Sequence, residues 1–179
     1  LLGLALFLGL KWMVIDPSTT PFRCQSTAER VCGAQATVDV AFAGAPSLRG
    51  YAVSSYQAHP SETVGVVLFW EGETDSFQAL KSFVHFRNSQ PEQTVNPRTG
   101  SDIWAQEDHV TPGGLPILAF SPGRLYRDEF RVVLPPDMPP GEYFLEVGWF
   151  NPASGEQLDP LDESLTPPLC VPTEQPRHR

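Results

Sequence analysis

Four histidines (His59, His85, His109, His178) and three cysteines (Cys24, Cys32, Cys170) are the groups of this chain best suited to act as bases, nucleophiles or metal ligands. The histidines are scattered, and neither a Cys-x-x-Cys pair nor a neighbouring His completes a ligand set, so no metal is expected. His85 lies between Phe83 and Arg87, opposite in phase to Val84 and Phe86, the setting of a structural histidine. A serine nucleophile would want a strained Gly-x-Ser-x-Gly elbow, and a phosphate site a glycine-rich loop; the sequence has neither. The expectation is a chain that is not itself an enzyme, with no catalytic residue and no cofactor.

Carboxylates and aromatics leave two leads. Glu71, Glu73 and Asp75 alternate, a spacing that could hold calcium through oxygens or pair with Asp102 or Asp108 as acid and base. Glycoside hydrolysis needs two such groups held about 5–10 Å apart, whereas an acidic loop at a strand end is commonly solvated surface. Trp70, Trp104, Trp149, Tyr51, Tyr56 and Tyr126 could build a platform against which a sugar ring stacks. Trp70 and Trp149 are in phase with core residues. Trp104, flanked by Asp102, Gln106 and Asp108, is the one expected to face solvent, and these four form the candidate binding set.

The elements that must carry these groups read as strands. Tyr143, Leu145, Val147 and Trp149 recur every second residue, as do Tyr126, Asp128, Phe130, Val132 and Leu134, and Val64, Val66, Leu68 and Trp70. Successive side chains of a strand point to opposite faces, so each set marks one buried face. Further extended runs are expected over Gln35–Phe42, Ser47–Tyr56, Ser82–Arg87 and Asp102–His109, with a short apolar run at Leu115–Phe120 and one helical turn at Phe77–Lys81. Many of the 19 prolines and 14 glycines fall between the runs as turns. Seven or eight short strands without a helical period predict an all-β fold, an antiparallel β-sandwich of immunoglobulin-like type, with a closed barrel as the alternative. Tyr143, just after a turn, sits where such sandwiches place a corner tyrosine.

Around this body, residues 1–15 read as the end of a truncated transmembrane helix, since only Lys11 is charged there. Residues 16–34 read as a linker, 35–171 as the sandwich and 172–179 as a disordered tail. The soluble part is then expected on the extracytoplasmic side of a cell membrane, where Cys24 and Cys32 are disulfide candidates. Pairing of Cys170 with either stays open. The net charge of −9 argues against nucleic acid as a partner.

LRGYAV (Leu48 to Val53), LFW (Leu68 to Trp70), FVHF (Phe83 to Phe86) and DEFRVVLPPDMPPGEYFLEVGWFNPASGEQL (Asp128 to Leu158) resemble a soluble domain that follows the membrane helices of many bacterial glycosyltransferases. These are the dolichyl-phosphate-mannose mannosyltransferase-like enzymes, and the resemblance spans residues 36–160. It implies an extracytoplasmic β-sandwich accessory to a membrane enzyme, binding or positioning a glycan, a lipid-linked sugar or a partner subunit. The family's catalytic acidic residues lie in loops among membrane helices, so none is carried over to a position here. A structural subunit with one helix, docking on a membrane protein complex, and a carbohydrate-active enzyme are the alternatives.

Overall fold

The computed structural model describes residues 26–27, 29–73, 79–89, 95–161 and 170–173. The expected membrane segment 1–15 lies outside them, as does most of the linker. Among the described residues no helix is long and apolar enough to cross a membrane. The chain divides into two units, Leu1–Gly33 and Ala34–Arg179. In the first, the described residues form a small turn: the main chains of Thr27 and Arg30 pair, and Ser26 Oγ accepts the Cys32 amide at 3.0 Å. Cys32 is disulfide-bonded. Cys24 and the side chain of Cys170 lie outside the described residues, and the Cys24–Cys32 pairing lies there with them.

The second unit contains β1 (Ala36–Phe42), β2 (Ala45–Val53), β3 (Thr63–Glu71), β4 (Lys81–Asn88), β5 (Ile103–His109), β6 (Leu125–Val133), β7 (Gly141–Phe150), β8 (Gln157–Leu158) and β9 (Cys170–Thr173). One sheet has the order β1-β2-β3-β6. The other runs β5-β4-β7-β8, with β9 on β7 as well. Every strand pairing is antiparallel. The expected all-β architecture holds, and the sheets share one hydrophobic core, a β-sandwich-like arrangement. Trp70 of β3 meets Trp149 of β7 at 4.5 Å between ring centroids, and Phe42 of β1 packs edge-on against Trp70. The alternating sets behave as the period of two requires: Val64, Val66, Leu68 and Trp70 are all buried, as are Tyr126, Asp128, Phe130 and Val132.

Some expectations shift. Leu115–Phe120 does not extend; Ile117–Ala119 forms a 3-10 turn entered from Pro116, following another at Pro112–Gly114. Lys81 opens β4 rather than closing a helical turn. Pro172 and Thr173, read as the start of a tail, pair with Glu142 and Gly141. The connection between Leu134 and β7 is fixed by Tyr143, whose hydroxyl donates to the Pro139 carbonyl at 2.8 Å. That is the bond a corner tyrosine makes.

Candidate functional site

Strands β5, β4 and β7 lie side by side, and the outer face of this sheet gathers the polar groups. His85 of β4 stands opposite Gln106 of β5 and Glu146 of β7, and Phe83 stands opposite Asp108. Residues at alternate positions share a face, so Gln106 and Asp108 emerge together beside His85. The imidazole stacks on the Phe83 ring at 4.4 Å. Its Nδ1 lies 3.4 Å from Glu146 Oε2 and its Nε2 3.6 Å from Asp108 Oδ1.

Arg87, two residues along β4, presents its fork to Asp102 at 2.8 and 3.1 Å and reaches Glu146 Oε1 at 2.9 Å. Such bidentate pairing fixes orientation as well as charge. It keeps the Arg87 guanidinium above its ordinary value, chiefly through the hydrogen bond to Asp102. For Glu146, burial pushes the carboxyl up; the proximity of His85 and the charge and hydrogen bond of Arg87 together outweigh it and hold the group below its ordinary value.

Beside this network is a shallow cavity of about 350 Å³, lined by His85, Ile103, Gln106, Asp108, Phe150, Gly155 and Gln157. Phe150 supplies an apolar ring with Lys81 over it at 5.6 Å, and the remaining side chains supply donors and acceptors. Of the candidate set, Gln106 and Asp108 line this cavity and Asp102 lies beyond it, clamped by Arg87. Trp104 does not join them. It is 6% exposed and belongs to the core. The cause is a bulge: Phe86 faces Ala105 but Arg87 faces Ile103, so the register steps past Trp104 and turns its ring inward.

A second polar group is built inward. Asp128, 1% exposed, accepts Ser82 Oγ at 2.7 Å and the Gly113 amide at 3.0 Å, and its Oδ1 lies 2.7 Å from His109 Nδ1. It joins β6 of one sheet to β4 and β5 of the other. Although Ser, His and Asp meet here, their order is wrong for a hydrolytic triad: the carboxylate stands between serine and imidazole, so His109 takes no proton from Ser82. His109 also stacks on Phe130 at 4.0 Å and lies 3.4 Å from Glu107 Oε1. A cavity of about 540 Å³ adjoins it, lined in part by Asp108, His109, Thr111, Arg127 and Asp128.

The acidic lead comes apart. Glu71 pairs with Arg49 at 3.2 Å and Glu73 accepts Ser47 Oγ at 2.7 Å, while Asp75 lies outside the described residues. The described residues contain no cluster of three or more His, Cys, Asp or Glu able to hold a metal. Sequence reasoning missed Glu146, Arg87 and Asp128 as members of polar networks. Only Asp128 left a signal, an acid standing in the buried phase of an alternating strand. No protein-family model, no curated protein and no solved structure matches the chain.

Proposed function

We propose that this chain is a non-catalytic, membrane-tethered extracytoplasmic domain that binds or positions a glycan for a glycosyltransferase-like membrane protein. The fold behind this reading is an immunoglobulin-like sandwich, supported by the Tyr143–Pro139 corner. The tether and the extracytoplasmic location rest on the apolar run of residues 1–15 and on the motif resemblance. The observation that carries the reading is the outer-face cavity, where the Phe150 ring lies beside His85, Gln106, Asp108 and Gln157. A sugar offers a C–H face for such a ring and hydroxyls for such side chains. Glycan sites join a few placed polar groups to an apolar wall in this way. Calorimetric titration of the chain with a panel of oligosaccharides tests it. Binding should be lost in Gln106→Ala and Phe150→Ala, and flat traces across the panel would reject the proposal.

One observation favours a second reading, the structural subunit. Val110, Leu115 and Leu118 are each exposed on the β5–β6 connection, apolar side chains that would suit contact with a partner protein. Co-purification from native membranes, with Leu118→Asp as the disrupting variant, separates this reading from the first.

A further inference from the structure

The three atoms at the centre of the outer face, His85 Nδ1, Asp108 Oδ1 and Glu146 Oε2, are buried without a formed hydrogen bond. A neutral imidazole has one N–H and an imidazolium two, so a histidine between two carboxylates serves both only when doubly protonated. The carboxylates are not equivalent. Glu146 has a second cation, Arg87, at 2.9 Å, and Arg87 in turn holds Asp102. The only ion pair that Asp108 makes among the described residues is with His85, at 3.6 Å. The remaining neighbours are uncharged: Phe83 beneath the imidazole ring, Gln106 across from it, and Gln157 of β8 along the cavity. Lys81, the next cation along β4, sits over Phe150.

We propose that His85 is a proton-operated latch on Asp108. With both nitrogens protonated, the imidazolium spans from Glu146 to Asp108 and ties edge strand β5 to β4 and β7 through side chains. When Nε2 gives its proton to water, Nδ1–H stays on the shorter of the two contacts, 3.4 Å to Glu146 against 3.6 Å to Asp108, and the Arg87 pair keeps that carboxylate in place. Asp108 is then left without a cation, as a bare acceptor. Because Asp108 lines both the outer-face cavity and the larger one beside His109, its release changes what each can hold. The latch stands on the cluster alone; its use in ligand capture rests on the glycan reading. There, a freed carboxylate accepts a sugar hydroxyl, and affinity rises with pH. One hydrogen bond to a charged group is worth about tenfold or more in binding.

NMR of the ligand-free full chain with isotopically labelled His and Asp tests the latch across about pH 5 to 8, the range in which histidines change charge. The Asp108 carboxyl resonance should move with the same inflection as the His85 ring, and that inflection should vanish in His85→Gln. An Asp108 signal that stays flat, or moves at a pH of its own, overturns the proposal. Should His85→Gln fail to fold, the wild-type ring nitrogens decide: loss of the proton from Nε2 supports the latch and loss from Nδ1 overturns it. Glycan titrations at both ends of the range read the second part. Absence of binding at every pH would reject the glycan reading while the NMR result stands, and pH-independent binding would overturn the coupling.

Discussion

The hydroxyl of Tyr143 reaches back four residues to donate to the main-chain carbonyl of Pro139, 2.8 Å away. The ring is fully buried at the start of β7, so this one bond fixes where the proline-rich connection from Leu134 enters the strand. Tyr143→Phe keeps the packing and deletes the bond. The variant should lose about 1 kcal/mol of stability, measured by the shift in urea midpoint at unchanged m-value.

The same burial has a consequence in alkali. The Tyr143 phenol is pushed up from 10.0 to about 12 by desolvation. The unfolded chain therefore releases this proton first, and the folded state is disfavoured once it must hold a proton that the unfolded state has lost. The contribution is complete below about pH 10 and disappears as pH climbs to about 12, a loss of roughly 2–3 kcal/mol over that window. Equilibrium unfolding at stepped alkaline pH should show that decline in the native chain, and a shallower one in Tyr143→Phe.

At the acid end Glu146 has the opposite sign. Its carboxyl is held below the ordinary carboxylate value of 4.5, against its own burial, by His85 and Arg87. On acidification the unfolded chain takes up this proton before the folded one does. The stabilisation is present above about pH 4.5 and is lost as pH falls through the lower folded-state value. Stability against pH in Glu146→Gln should lack this acid limb. A limb of unchanged size would place the effect in other carboxylates.

The strands differ in how plainly their residues mark the buried face. In β6 the alternation is unbroken, with Tyr126, Phe130 and Val132 buried, and in β7 Tyr143, Leu145 and Trp149 are buried on the same period of two while Val147, partly buried, packs against the core. In β5 the same rule put Trp104 beside Asp102, Gln106 and Asp108, because those positions share parity. The bulge that turns the tryptophan inward depends on what β4 offers across the ladder, and nothing local to 102–108 announces it. The His85 cluster fails to show for a related reason. Its members come from positions 85, 87, 102, 108 and 146, and only the strand order β5-β4-β7 makes them neighbours. Asp128 was half legible: its phase says buried, but its partners come from the opposite sheet.

Asp128 itself supports a graded prediction. Its carboxylate accepts from Ser82 and Gly113 and pairs with His109 across the two sheets. Asp128→Ala leaves an imidazole, a hydroxyl and an amide facing a void, and should cost about 3–5 kcal/mol, as removal of one partner from a buried charged network does. Ser82→Ala removes one donor from a carboxylate that keeps two others and should cost about 1 kcal/mol. Denaturant titration of both variants checks the ratio, and equal costs would mean that Ser82 matters through packing.

Gly113 is what brings the β5–β6 connection close enough to serve Asp128. Its φ is +61°, a left-handed value that L side chains rarely adopt, and an added Cβ would stand 2.7 Å from the Arg127 carbonyl oxygen. That neighbour is backbone of β6 and cannot swing aside, so Gly113→Ala must lift the loop and stretch its amide away from Asp128. Strain and the lost hydrogen bond together should cost about 2–4 kcal/mol. The adjacent Gly114 separates the two effects. Its φ of +81° is equally left-handed, yet an added Cβ there meets nothing within 4 Å. Gly114→Ala should therefore lose only about 1 kcal/mol of backbone strain and leave the His109 ring resonances unchanged, whereas Gly113→Ala should shift them. Matching losses in the two variants would show that conformation alone, and not the approach to β6, selects glycine at position 113.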